Sequence, residues 1–148
     1  MTIAQRSLAM SKVRGKSTKP EIKVRSGLHQ RGFRFRVHNS KLPGKPDIVL
    51  KKYSAVIFIH GCFWHHHINC SKSKMPQTRV AFWENKIGKN VIRDRENIKL
   101  LADMGWRIAV IWECITKKEK NLNESLDVLN QWIKEGEFHI ELPHSPLL

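Results

Sequence analysis

No stretch of the chain approaches the ~20 apolar residues that a membrane span requires, and the N-terminus has none of the apolar core that marks a secretory signal. Both absences lead us to expect a cytoplasmic protein. Cysteine is scarce: Cys62, Cys70 and Cys114 are an odd set that cannot close a disulfide framework, which leaves burial or metal ligation. Acidic residues are also few, 13 Asp and Glu against 27 Lys and Arg, for a formal net charge of +14. Such an excess argues for a polyanionic partner, with a merely solvated basic face as the plainer alternative. Internal repeats and low-complexity tracts are lacking, so at 148 residues a single domain with one real core is expected.

The charge that is present is uneven. Residues 1–36 hold ten Lys or Arg and one acidic residue, whereas residues 115–148 hold four Lys and six acidic residues. Residues 1–16 have no sustained periodicity and carry Lys12, Arg14 and Lys16, which suggests a flexible basic arm. From residue 17 the pattern is that of a folded domain, extending to about 140, with a loosely ordered tail over 141–148. Thr18, Pro20 and Glu21 have the spacing of a helix start with a capping box, and Gly32 ends that helix. Phe33 to Val37 alternate with period two, a strand with one apolar and one basic face. Pro43, Gly44 and Pro46 enforce a turn before a short buried strand that begins at Asp47. Ser54 to His60 form a second buried strand, antiparallel to the first, so Asp47 should lie beside Ile59 and His60.

A helix is expected from about Val80 to Met104, closed by Gly105, with Trp83, Ile87, Val91, Ile98 and Leu101 on one buried stripe that also carries Asp94. Trp106 to Trp112 read as a further buried strand, parallel to Ser54–His60 by strand-helix-strand logic. Leu122, Leu126, Leu129 and Ile133 mark a last amphipathic helix.

Most of the chemistry is concentrated in Ala55 to Cys70, AVIFIHGCFWHHHINC. Cys62 and Cys70 bracket three histidines in one loop, and Cys114 ends a strand that should lie alongside. Three cysteines with one histidine form a closed tetrahedral zinc set, and His65, His66 and His67 all qualify as the fourth ligand by spacing. The alternative is three buried thiols beside exposed histidines. Asp47 is a turn residue or, beside a strand end, a Mg2+ ligand assisted by a backbone carbonyl such as that of Ile59. Asp94 on an apolar stripe requires a partner, either a histidine from the 55–70 stretch or a lysine or arginine. Phe63, Trp64 and Trp83 are either core residues or, where the core runs out in a basic protein, a surface for stacking on bases.

The stretches RGKSTKPE, FRFRVH, LPGKPDIVL, VIFIHGCFWHHH, FWENKIGKNVIRDREN and GWRIAVIWEC together resemble the very-short-patch-repair mismatch endonucleases, the Vsr family, from about Met10 to Thr116. The resemblance implies an α/β fold with a restriction-endonuclease-like mixed sheet flanked by helices. It also implies a monomeric, bacterial, nucleoid-associated enzyme that nicks double-stranded DNA 5′ to the thymine of a T:G mismatch, in repair of deaminated 5-methylcytosine.

Carried onto these positions, the resemblance makes Asp47 the ligand of catalytic Mg2+, with the Ile59 carbonyl. His65 becomes the essential histidine, supported by Asp94, with His60 and Glu21 nearby. Cys62, His67, Cys70 and Cys114 would hold structural zinc; the span from the ligand histidine to Cys70 varies in the family, which keeps His66 as the other candidate. Phe63, Trp64 and Trp83 would form a wedge in the major groove, and the N-terminal arm would cover the minor groove. The chain departs from the wider restriction-nuclease pattern, because Phe58, Ile59 and His60 stand where an acidic-x-Lys motif is usual. Glu21 is equally explained by the capping box. Two rival functions are a non-catalytic zinc-stabilised DNA-binding module and a histidine-metal nuclease of the HNH type.

Overall fold

Three apolar runs with few charges, at Ile48–Leu50, Ala55–His60 and Arg107–Trp112, become the middle of a five-stranded sheet. The structure, a computed structural model, describes residues 18–143. The expected arm with Lys12, Arg14 and Lys16 therefore lies outside the described residues, as does the end of the tail. The elements in chain order are α1 (Lys19–Gln30), β1 (Arg36–Val37), β2 (Ile48–Leu50), β3 (Ala55–His60), α2 (Val80–Asp103), β4 (Arg107–Trp112), α3 (Glu119–Glu135) and β5 (His139–Leu142). Short 3-10 turns follow β2, the histidine loop and β4.

The strands lie in the order β1-β2-β3-β4-β5, antiparallel across the first three and parallel across the last three. This is the expected mixed sheet. Pleating sends successive side chains to opposite faces. Ile48, Leu50, Ala55, Ile57, Ala109 and Ile111 pack with α1 and α3 on one face, while Val49, Val56, Phe58, Ile108 and Val110 pack under Leu101 of α2 on the other. Each fully buried Leu or Ile contributes about 1.5–3 kcal/mol, so the two layers are the main source of stability. Among the described residues no helix is long and apolar enough to cross a membrane.

Three expectations change. The strand expected over 33–37 pairs only at Arg36–Val37, because its partner β2 is three residues long; Phe33 is still buried and Arg34 and Arg36 still exposed. The stripe on α2 is fully buried only at Ile87 and Leu101. Trp83, Val91 and Ile98 are half-buried, since this part of the helix borders an open cleft rather than the sheet. The segment entering the expected tail is instead β5, which pairs in parallel with β4 through Ile108↔His139 to Ile111↔Leu142.

Candidate active site and metal centres

The sheet register determines which residues meet. In the antiparallel pair Ile48 faces Ile57, so Asp47 emerges opposite Phe58 and its Oδ2 accepts a 2.7 Å hydrogen bond from the Ile59 amide. Burial is the main reason the Asp47 carboxyl is raised from 3.8 to about 6. The Ile59 bond opposes that rise, the negative charge of Glu21 adds to it, and His38 and His65 oppose it. A half-buried carboxylate in this setting gains most from a cation.

Across the parallel pair His60 faces Trp112, so the chain leaves both strands at the same level. Cys62 and Cys114, each two residues further on, consequently come together. The intervening loop is wound by backbone bonds from His65 to Gly61 and from His67 to Cys62, and by Ser73 Oγ donating to the carbonyls of His67 (2.6 Å) and Cys70 (2.8 Å). His66 and Asn69 take positive φ to make the reversal, and His66 is exposed.

This winding turns neighbouring histidines to different ends. His67 is buried and its ring stacks on Trp112 at 4.3 Å, with Nδ1 at 3.6 Å from both Cys62 Sγ and Cys114 Sγ. Tetrahedral zinc with the usual Zn–S and Zn–N lengths sets its sulfur and nitrogen ligands about 3.6 Å apart, so the spacing fits. Cys70 completes the set, with all four donor atoms within 4.8 Å of one another and no disulfide among them. Without a cation the thiols perturb each other: the hydrogen bond to Cys114, together with burial, pushes Cys62 up, and the same bond brings Cys114 down. Burial lowers His67, which suits a neutral metal-ligating imidazole.

His65 turns the other way. Its Nδ1 donates to Asp94 Oδ2 at 2.6 Å, so in the neutral ring Nε2 is the basic nitrogen. Of the two partners considered for Asp94, the structure supplies the histidine. His60 stacks against His65 at 3.9 Å with the rings nearly parallel. Burial, and secondarily the nearness of His65, hold His60 well below its ordinary value, so it is neutral.

Glu21 is buried, and the expected capping box does not form as such: the Thr18 side chain makes no capping bond to the backbone of α1. Thr18 Oγ1 donates to Glu21 Oε1 at 3.2 Å, while Oε2 meets Arg25 at 2.7 Å and His38 at 2.8 Å. Asp47, His60, His65 and Asp94 all line one open cavity of about 970 Å³, with Lys45, Lys86 and Arg93 around it. Phe63, Trp64 and Trp83 form one half-buried cluster, with ring centroids 5.1–6.0 Å apart, and Trp64 reaches the cavity. Asn90 donates to the Trp64 carbonyl at 3.0 Å and ties this loop to α2. The sequence reading passed over His38, Asn90, Lys86 and Arg93. His38 is a lone histidine at the end of a strand run, and only the β1–β2 register reveals its place.

The arrangement offers a half-buried carboxylate, a carboxylate-oriented imidazole, a basic rim and an apolar aromatic edge, a set suited to hydrolysis of a phosphodiester. A family model described as "DNA mismatch endonuclease Vsr" matches residues 1–72. The chain is 46% identical over 132 residues to the DNA mismatch endonuclease Vsr of Escherichia coli, covering 88% of this chain and 84% of that protein. It is 44% identical over 135 residues to the type II nicking enzyme V.NmeAIP of Neisseria meningitidis, covering 91% and 96%. It is 47% identical over 110 residues to the type II nicking enzyme V.XorIIP of Xanthomonas oryzae, covering 74% and 80%.

Proposed function

Because the chain belongs to the Vsr family of DNA mismatch endonucleases, we propose that it nicks one strand of double-stranded DNA 5′ to the thymine of a T:G mismatch. The observation that carries this reading is the meeting, in one basic cleft, of Asp47 on the Ile59 amide with the His65–Asp94 pair, beside an aromatic cluster. Asp47, with the Ile59 carbonyl, would hold Mg2+. When bound, that ion supplies the charge that polarises the scissile phosphate and stabilises the leaving 3′ oxygen.

The remaining work belongs to side chains. His65 Nε2 accepts the proton of the attacking water, and Asp94 holds the ring in the right tautomer and stabilises the imidazolium that forms. The water oxygen bonds to phosphorus as the P–O3′ bond breaks, and the leaving O3′ takes a proton from solvent, giving a 5′ phosphate and a 3′ hydroxyl. His60, kept neutral, packs on His65 and fixes its plane without a competing charge. Glu21 borders the same cavity and orders the charges behind Asp47. Cys62, His67, Cys70 and Cys114 hold a structural zinc that stiffens a loop with little core of its own.

Phe63, Trp64 and Trp83 wedge into the duplex. A mismatched step is cheaper to unstack than a paired one, so the few kcal/mol that insertion costs favour the T:G site. Phosphates are met by the basic rim and by Lys12, Arg14 and Lys16 of the N-terminal arm. The enzyme acts as a monomer on the bacterial nucleoid in the cytoplasm.

The test is a nicking assay on a duplex with one T:G pair, in Mg2+ or EDTA, for the wild type and Asp47→Ala. A Mg2+-dependent nick 5′ to the thymine that Asp47→Ala abolishes is the expected result. Binding without any nick would leave a zinc-stabilised DNA-binding module. A fully active Asp47→Ala would move the catalytic metal to the histidines, as in an HNH nuclease. Elemental analysis should find one zinc per chain, and a folded zinc-free sample would defeat the four-ligand proposal.

A further inference from the structure

His38 closes the stretch FRFRVH, which by itself assigns it no role. Val37 pairs with Ile48 across β1 and β2, so the next residue along, His38, faces Asp47, and its backbone amide donates to the Asp47 carbonyl at 3.2 Å. It takes φ of +50°, in the left-handed region that few non-glycine residues enter and histidine enters more often than most. The side chain is turned inward, with 13% of it exposed.

Its contacts are hard to satisfy with hydrogen bonds alone. His38 Nε2 lies 2.8 Å from Glu21 Oε2 and 3.0 Å from Arg25 Nη2, and Arg25 Nη2 donates to the same Glu21 Oε2 at 2.7 Å. With a proton on Nε2, the contact to Glu21 is a hydrogen bond but that to Arg25 sets donor against donor. Without the proton, the contact to Arg25 is a hydrogen bond and that to Glu21 sets lone pair against lone pair. A cation shared by Nε2 and Oε2 removes the conflict, since both lone pairs then point at it while Arg25 keeps its bond to the carboxylate.

The spacing suits such an ion. Two donors about 2.1 Å from one octahedral ion and at right angles to each other lie about 3.0 Å apart, close to the Glu21–His38 separation. One donor atom each from Glu21, His38 and Asp47 falls within 4.8 Å of the other two.

We propose that His38 and Glu21 each supply a ligand to the divalent-cation site at Asp47, and that the imidazole makes the site favour a first-row transition ion over Mg2+. Carboxylates and carbonyls alone suit Mg2+, whereas an imidazole nitrogen adds affinity for ions such as Mn2+ and Co2+ that accept mixed nitrogen and oxygen ligands. Mg2+ still fits the site but gains less from the nitrogen. The inference rests on the reading of Asp47 as a metal ligand.

The probe is Mn2+ alone, added to the zinc-loaded full-length protein and followed by electron paramagnetic resonance, with Mg2+ as competitor. The wild type should bind one Mn2+ at this site with a nitrogen coupling in the signal. His38→Gln, which keeps a polar side chain beside Glu21 and Arg25, should lose that coupling and bind Mn2+ roughly tenfold more weakly, with Mg2+ binding changed much less. A coupling and an affinity that survive in His38→Gln would overturn the proposal and leave His38 as a partner of Glu21 and Arg25. Circular dichroism checks folding, and His38→Asn is read in the same way if His38→Gln does not fold. Failure of both to fold would also overturn it, by assigning His38 to the scaffold. Asp47→Asn separates the two readings: unchanged Mn2+ binding there sinks Asp47 as a ligand, whereas loss there without loss in His38→Gln sinks only the role of His38.

Discussion

Asp47 is held half out of water on the Ile59 amide, and its stability effect has a definite sign in protein freed of Mg2+ with zinc retained. Its carboxyl titrates near 6 when folded against 3.8 in the ordinary state, so the folded chain keeps the proton longer. The stability it contributes is fully present below pH 3.8, falls as pH rises, and is gone above about 6, where the buried charge costs on the order of 1–3 kcal/mol. Asp47→Asn should therefore unfold at higher denaturant than the wild type at pH 8 and at the same denaturant near pH 4. Equal midpoints at both pH values would show that the carboxylate is not strained. Asp94 makes a different prediction, because in the proposed mechanism it acts through His65, which it contacts at 2.6 Å. Asp94→Asn keeps the shape but cannot stabilise an imidazolium, so the nicking rate should fall by about 10²–10⁴ while DNA affinity stays within about twofold. A rate within threefold of wild type would remove Asp94 from the mechanism.

At the scale of elements, the Arg107 side chain joins β4 to the end of α3 as well as to the turn before β3. Arg107 donates to the carbonyls of Trp132 (3.0 Å), Ile133 (2.7 Å) and Tyr53 (3.0 Å), closing the C-terminal turn of α3 against the sheet. Of these, the Ile133 carbonyl lies in the last turn of α3, where carbonyls lack an onward helical partner, and the Trp132 carbonyl also accepts from the Gly136 amide. Arg107→Met should therefore cost about 2–4 kcal/mol by chemical denaturation with little effect on the metal sites, and a loss below about 0.5 kcal/mol would mean that water replaces the guanidinium. Most elements were legible because their patterns are local: the Thr18 start of α1, the uninterrupted apolar runs of β3 and β4, and the stripe of α3. β5 was not, because His139 to Leu142 is short, half polar, and a strand only by pairing with β4.

At the scale of the whole molecule, the net charge of +14 meets a cleft rimmed by Lys45, Lys86 and Arg93. DNA binding should weaken steeply with salt, and Arg93→Ala should lower the slope of log K against log salt by about 1 without changing the preference for a mismatch. An unchanged slope would take the DNA out of this cleft. Legibility differs here too. Cys62, Cys70 and Cys114 were grouped from the sequence because strand-helix-strand logic brings two strand ends together, and the His65–Asp94 contact was one of two alternatives raised. His38 was missed because its surroundings depend on a two-residue ladder, and Lys86, Asn90 and Arg93 because a cleft has no signature along a helix.

The sheet's change from antiparallel to parallel pairing at β3 also sets an order of assembly. Asp47 reaches the Ile59 amide across a hairpin that spans 12 residues, whereas His67 reaches Cys114 only after a loop of 47 residues closes. Short closures form early and long ones late. In refolding, the amide of Ile59 should gain protection from exchange while Cys114 still reacts with a pulse of thiol reagent. The Asp47 carboxylate would then be seated before the Cys62–His67–Cys70–Cys114 cluster closes, and newly made chain would pass through a stage in which its thiols are the last part of the cluster left open to oxidation.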